Sequence, residues 1–382
     1  MRFKDIIGQE EIKSRLIQTV KDGRISHAQL FTGSEGSGNL AMAIAYGQYI
    51  NCLNPTDEDS CGACSSCAKY EKLVHPDLTF AFPVATSSKA PKKPVSNHYI
   101  TEWREAVLQN PYLEYDEWIS KIEIENKIAA ISVNESSEIL KSVVYKRFEA
   151  KYKVVIVWHA EKMNTEASNR LLKFIEEPEP NTLIILISTD AEAIIRTILS
   201  RTQHTKFNQI DLKSLSNYLQ EKKNLDSEKA MQIAAFSDGD FNSAMRLIDM
   251  EGKETFFFET FKNWMRMCFA GKLPPLLDWI EEISAKSVGR EQQKNFLTYT
   301  LRLLRESIIS NYADDNLLRL SSGEKAFLNK FAPFVHTGNI LELNDLFNEA
   351  YYHIERNANP KLVFFNLSTR VTKLLRTKNV NL

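Results

Sequence analysis

Residues 28–44 read AQLFTGSEGSGNLAMAI, and the reading of this stretch decides the fold. An apolar run, Ala28 to Thr32, meets a turn carrying Gly33, Gly36 and Gly38, and a helical pattern follows. Strand, tight turn and helix N-terminus in that order are the setting in which a G-x-x-x-x-G-K-[ST] loop wraps backbone amides around nucleotide phosphates. The glycine frame is present, but its two chemical side chains are not. Asn39 stands where a lysine would reach the β- and γ-phosphates, and Leu40 stands where a hydroxyl would bind magnesium. Backbone amides at a helix start still attract an anion, yet an apolar leucine offers no oxygen to a hard cation. Gly33, Gly36, Gly38, Asn39 and Leu40 therefore read as a vestigial loop in a nucleotide-binding fold that turns over no ATP.

Upstream, Ile12, Leu16 and Ile17 fall at helical spacing in a helix expected from about Gln9 to Val20, which Gly23 ends. Arg24 and His27, just before the first strand, read equally well as capping surface groups or as interface residues. Downstream, the helix runs through Ile44 and Ile50 to Cys52, and Cys61, Cys64 and Cys67 follow in nested C-x2-C steps. Two-residue spacers make tight knuckles that bring thiolates to one point, with Gly62 relieving the first of them. The residues between them, Asn, Pro, Thr, Asp, Glu and Ser, are too polar for a packed thiol core. A structural Zn²⁺ on Cys52, Cys61, Cys64 and Cys67 is the expectation. An iron–sulfur cluster is the alternative that spacing leaves open. Four protein ligands leave no open position for catalysis. The remaining cysteine, Cys268, lies among Trp264, Met265, Met267 and Phe269 and reads as a core thiol.

A length of 382 residues suits two or three domains with cores of their own. Net charge is −1, so the chain as a whole carries no electrostatic footprint for nucleic acid. No apolar run reaches membrane-spanning length. The opening MRFKDIIGQEE has acidic residues and no signal-like apolar core, so a cytoplasmic location is expected.

Past the cysteines, Leu78 to Phe82 reads as a strand. Pro83 to Asn97 reads as a flexible, mildly basic loop whose Lys89, Lys92 and Lys93 are solvated rather than set on phosphates. Two tryptophans and two tyrosines between Trp103 and Trp118 mark an inserted packed element with no legible role. A helix over Val133 to Tyr145 leads to Lys153–Trp158, KVVIVW, with buried parallel-strand character. A working ATPase of this architecture ends that strand in an acidic pair, one carboxylate on the metal and one orienting water. Here Trp158 and His159 take those places, and Glu161 reads as a surface or helix-end carboxylate. Asn164 or Thr165 caps a helix with Ala167, Leu171, Phe174 and Ile175 inside, and Thr182 to Ser188 is another buried strand. A short apolar segment, Ala193 to Leu199, leads to Ser200-Arg201-Thr202.

The alternation predicts a doubly wound α/β domain over 1–208 with the cysteine module at 52–67. A small helical subdomain follows over 209–250, with Gly239 between two helices. An all-helical domain over 251–382 comprises amphipathic stretches at Phe256–Phe269, Gln293–Tyr312, Glu324–Val335, 340–357 and Pro360–Leu375. Phe256, Phe257, Phe258, Phe261 and Trp264 read as core.

LLKFIEEPEP at 171–180, ILSRT at 198–202, the Gly-Gln-Glu at 8–10, the glycine loop and the cysteine module together resemble one family. The chain is similar to the delta-prime type of bacterial DNA polymerase III clamp-loader subunit, within the AAA+ superfamily. The resemblance runs through the whole chain in order, except for the basic insertion near 83–128. It implies an AAA+ module, a helical lid and a C-terminal collar that assembles an oligomer with tau/gamma-type ATPase subunits and a delta subunit. Sliding clamp and primer–template DNA are then engaged through the whole complex. It also implies that Arg201 acts as an arginine finger on a neighbouring subunit's nucleotide, with Thr202 where the family has cysteine. The lid arginine of the family's ATPase subunits is Asn242 here. Two other readings are an active ATPase of the same complex and a metal-stabilised DNA-binding module. The losses at Asn39, Leu40, Trp158, His159 and Asn242 speak against the first, and the near-zero net charge speaks against the second. A bare surface arginine paired within its own domain is the alternative reading of Arg201.

Overall fold

The computed structural model describes residues 1–90, 92–124, 127–144, 146–250, 254–285, 288–312, 318, 320, 322–356 and 358–377. The five apolar or edge runs form one parallel sheet because each leaves and returns through a helix. Helix α1 (Glu10–Lys21) precedes β1 (Ala28–Thr32), and α2 (Asn39–Ile50) starts on the glycine loop. After the cysteine knuckles, α3 (Ser65–Glu71) leads to β2 (Leu78–Ala81). The insertion contributes α4 (Ile100–Gln109) and α5 (Tyr115–Lys121), and α6 (Val133–Val144) then feeds β3 (Lys153–Val157). The expected end of α6 at Tyr145 lies outside the described residues. Next come α7 (Thr165–Glu176), β4 (Thr182–Ser188), α8 (Arg196–Leu199) and β5 (Gln203–Lys206). The sheet order is β2-β3-β4-β1-β5, all parallel, with Ala28 opposite Ile184 and Val154 opposite Leu183.

Alternation along the strands explains why both faces need helices. Val154, Ile156, Leu183 and Ile185 join α1, α2, α4 and α5 in one core. Val155, Val157, Ile184 and Leu186 join α6 and α7 in the other. The inner face expected for α7 is buried, and the Asn164 side chain caps it by accepting from the Ala167 amide at 2.8 Å. This mixed α/β core, a parallel sheet with helices on both faces, resembles the AAA+ fold.

Several local expectations are corrected. The 83–97 segment is no free loop: Val84 pairs antiparallel with Ala130, and Val84, Ala85, Ala90 and Ser96 are buried. Lys89 is bonded to Glu102. Strand β5 was not expected from its sequence, QHTK, because three of its four residues face solvent.

Helices α9 (Leu212–Lys223), α10 (Ser227–Phe236) and the first part of α11 (Phe241–Met250) complete the first compact unit, Met1–Arg246. Asp211 and Asp226 cap α9 and α10 by accepting from the third amide of each. The second unit, Leu247–Leu382, is all helical among its described residues. It comprises α12 (Glu254–Ala270), α13 (Leu273–Ile283), α14 (Gly289–Tyr312), α15 (Ser322–Phe331), α16 (Ile340–Glu355) and α17 (Pro360–Leu374). Its centre is a Trp264–Trp279 stack at 4.7 Å between ring centroids, with Phe257, Phe261, Phe296 and Cys268 fully buried around it. Phe256 is the exception among the expected core aromatics and is half-exposed. Parts of the 251–382 expectation, among them Lys253, Asn357 and the last five residues, lie outside the described residues.

Candidate nucleotide cleft and cysteine cluster

The glycine loop has the backbone its composition demands. Gly36 and Gly38 sit at φ +73° and +89°, a region costly for any residue with a Cβ. Gly38 then starts α2, whose residues are all buried. What the loop encloses is protein. A Cβ on Gly38 would lie 2.9 Å from Tyr112 Cε1, and one on Gly36 would lie 2.0 Å from Asp240 Oδ1. The residual cavity is about 10 Å³, lined by Glu35, Asn39, Leu40, Tyr112, Trp158 and His159 among others. That is at or below the space of one water molecule.

Each position where a working site carries polar chemistry is turned inward. Leu40 is buried in the core. Asn39 accepts the Leu40 amide at 2.8 Å, consuming a donor that a phosphate would otherwise meet. Trp158 packs against Trp103 at 5.1 Å, and Trp103 stacks on Phe82 at 4.2 Å. His159, in the left-handed region at φ +53°, lies between two carboxylates. Its Nδ1 is 2.6 Å from Glu161 Oε1, and its Nε2 is 3.4 Å from Glu35 Oε1. Burial alone disfavours the imidazolium, but the hydrogen bonds and charge of Glu161 and Glu35 outweigh it and raise the pKa above its ordinary 6.5. Burial likewise opposes ionisation of Glu35 and Glu161, and His159 reverses the sign, so both carboxyls sit below their usual range. The surface reading of Glu161 is thus overturned: its side chain is 6% exposed and also accepts from Thr189 Oγ1 at 3.1 Å. The short helical turn after β3 folds it back beneath the strand ends. Asn242 points into the same region, donating to the Tyr112 carbonyl at 2.7 Å.

Arg201 lies apart from this cleft chemistry, on the surface between α8 and β5. Its Nε is 2.6 Å from Glu176 Oε1, and its Nη1 bonds the Thr197 carbonyl and Ser200 Oγ, each at 3.1 Å. The two motif stretches, 171–180 and 198–202, therefore meet at one ion pair. His27 is an internal tie, with Nε2 2.8 Å from the Ile175 carbonyl.

The four cysteines converge. Their sulfurs all lie within 4.8 Å of one another, with Cys61–Cys67 at 3.9 Å and Cys52–Cys67 at 3.6 Å. A tetrahedral ion with ligands at about 2.3 Å sets sulfurs about 3.8 Å apart, so the cluster fits a single ion. The backbone is arranged for thiolates. Ala63 and Cys64 direct amides at Cys61 Sγ, Cys61 directs one at Cys52 Sγ, and Cys67 directs one at Cys64 Sγ. The Ala63 and Cys64 amides hold the Cys61 thiol down to about 6, whereas burial pushes Cys67 up. Gly62 turns the first knuckle at φ +71°. Asp59 ties the module to the chain start by accepting the amides of Phe3 and Lys4 at 3.1 and 3.0 Å.

Reasoning from sequence missed Tyr112, Asn110, Glu35 and Glu161 as parts of the cleft. The cluster of aromatics at 103–118 was the available signal, but aromatic content says that a segment packs, not where.

A family model described as "DNA polymerase III, delta subunit" matches residues 8–211, more than half of the chain. Among curated relatives, the DNA polymerase III subunit gamma of Buchnera aphidicola subsp. Acyrthosiphon pisum is 25% identical over 65% of this chain and 58% of its own length. The DNA polymerase III subunit delta' of Bacillus subtilis is 28% identical over 55% of this chain and 51% of its own. The chain spans 58%, 30% and 28% of the first three relatives it matches. Among solved structures, a gamma-subunit-related protein of Thermotoga maritima superposes with a TM-score of 0.42 at 14% identity, covering 97% of this chain and 100% of that one, a likeness too distant to add to the argument.

Proposed function

Because the chain belongs to the DNA polymerase III delta-subunit family, we propose that it is a non-catalytic, delta-prime-type clamp-loader subunit that acts on a neighbour's ATP. The observation that carries this reading is the filled cleft. Asn39, Leu40, Trp158 and His159 stand where a working site has lysine, magnesium ligand and strand-end acids, and the cavity they line with Tyr112 is about one water in size. Positioning and charge stabilisation are nearly all of phosphoryl-transfer catalysis, so a chain without them contributes only in trans. An active ATPase of its own is the weaker reading on the same grounds.

In this proposal 1–208 is the AAA+ module, 209–250 the lid and 251–382 the collar through which tau/gamma-type and delta subunits assemble. Clamp and primer–template DNA are met by the whole complex. Arg201 is the group offered to the neighbour. Its bond to Glu176 is an exposed pair of a kind that contributes about 0–1 kcal/mol. A bidentate guanidinium–phosphate contact is stronger than such a pair, so the arginine exchanges partners at little cost. Cys52, Cys61, Cys64 and Cys67 would hold a structural Zn²⁺, which supplies cross-linking and no chemistry. The test is reconstitution of ATP-driven clamp loading from the other subunits with and without this chain. The proposal expects loading to require it; full loading in its absence would reject the role.

A further inference from the structure

The insertion does more than fill space, because one short segment of it touches both walls of the cleft. On the loop side, Tyr112 lies against Gly38, and its hydroxyl accepts the buried Ile7 amide at 2.9 Å. The Tyr115 amide donates to Glu35 Oε1 at 3.0 Å. On the helical side, the Tyr112 ring stacks on Phe241 at 4.4 Å and 28°. Asn242 Nδ2 donates to the Tyr112 carbonyl, and Asn110 Nδ2 donates back to Asn242 Oδ1 at 3.0 Å. Glu114 pairs with Arg246 at 2.6 Å. All four helical-side contacts fall on α11, at Phe241, Asn242 and Arg246, within a few residues of where Asp240 abuts Gly36.

We propose that residues Asn110–Tyr115 are a built-in occupant of the cleft: a strap that locks α11 onto the glycine loop in one arrangement independent of nucleotide. The segment bridges loop and helix as an exchangeable ligand would, but it is covalently attached, so the bridge has no bound and unbound state. The amide of Ile7 and the side-chain amide of Asn242 are buried donors satisfied by the strap, and a buried donor left without a partner is costly. Opening the contact is therefore disfavoured at several points at once, and nucleotide has no differential interaction with which to shift it. The inference concerns the isolated chain and stands or falls separately from the clamp-loader role.

Hydrogen–deuterium exchange on the full chain tests it, comparing wild type with Tyr112→Phe, Tyr112→Ala and Asn242→Ala, each with and without millimolar Mg-ATP. In wild type, amides of 33–40 and α11 exchange slowly, and ATP changes nothing. Asn242→Ala removes the paired hydrogen bonds and accelerates exchange of those amides about ten-fold, the effect of one lost buried bond. Tyr112→Ala has a larger effect and Tyr112→Phe a smaller one, while β3 and β4 keep their protection. If Tyr112→Ala also loses protection in β3 and β4, the Asn242→Ala variant decides. Unchanged exchange at 33–40 and α11 in Asn242→Ala, or protection of 33–40 by ATP in wild type, overturns the strap.

Discussion

The glycine loop and the cysteine cluster are both frames built on tight turns, and they reach order in opposite ways. In the loop, the frame survives while its ligand-binding side chains are gone, and apolar and aromatic residues have taken over the enclosed volume. In the cluster, four cysteine sulfurs converge within 4.8 Å of one another, while the segment between the first two, residues 53–58, is exposed. The loop is held by packing, whereas the cluster presents four sulfurs placed to be held by coordination. A turn that presents backbone amides is thus no evidence of a ligand; the groups that face the enclosed point decide.

The cluster offers the largest way to break this comparison. Removing a structural zinc withdraws binding free energy on the order of 10 kcal/mol. Protein purified without oxygen is expected to hold about one zinc per chain, and Cys64→Ser to lose it. Residues 1–7 should loosen with the module through the Asp59 bonds, while the second unit stays folded. Elemental analysis with thermal unfolding checks this; iron, or no metal in wild type, would break the comparison on the coordination side.

If the cleft is ordered by packing, Trp103→Ala should cost what a core tryptophan costs, about 3–5 kcal/mol. Trp103 is fully buried between Phe82, Trp118 and Trp158. Urea unfolding of the first unit measures it, and a loss under about 1 kcal/mol would mean that the insertion merely lies on the surface.

Smaller effects follow from His159. Its raised pKa contributes stability that is fully present below 6.5 and lost as pH rises through the folded value. Glu35 and Glu161, lowered from 4.5, contribute stability that is present above 4.5 and lost as pH falls through their folded values. Stability from this cluster should therefore be greatest between those limits, and His159→Gln should flatten the alkaline limb. A urea midpoint in wild type that is constant from neutral to alkaline pH would contradict the imidazolium.

The smallest expected effect is the most instructive. Asn39→Lys with Leu40→Thr restores the missing side chains, yet the cleft is still occupied by Tyr112, and calorimetry with Mg-ATP should detect no binding. Binding by that double variant would show that chemistry, rather than volume, had emptied the site.

Much of this was legible in the sequence because it rests on local physics. Continuous apolar runs mark β1, β3 and β4, since central strands of a parallel sheet are buried on both faces. Two-residue spacers mark the cysteine knuckles. What escaped depends on distant partners. Strand β5 is an edge whose QHTK carries no apolar signature, and its pairing with β1 comes from chain geometry. Helix α13, which is not among the expected amphipathic stretches, opens Leu273-Pro274-Pro275, and proline is well suited to a first helical turn. Glu161 looks like a solvated carboxylate until the turn after β3 sets it beside His159. Asn110 and Asn242 are 132 residues apart and meet only because α11 returns to the loop.

The central claim, that this chain gives an arginine to a neighbour while holding no working site itself, is tested most directly at Arg201. Complexes reconstituted with wild-type or Arg201→Ala chain are compared in single-turnover ATP hydrolysis in the presence of clamp and primed DNA. The account predicts normal assembly and a fall in hydrolysis at the adjoining subunit, up to about 10³-fold for one finger and partly masked by the other ATP sites. Unchanged hydrolysis in fully assembled complexes would contradict it and leave Arg201 as a surface charge paired with Glu176.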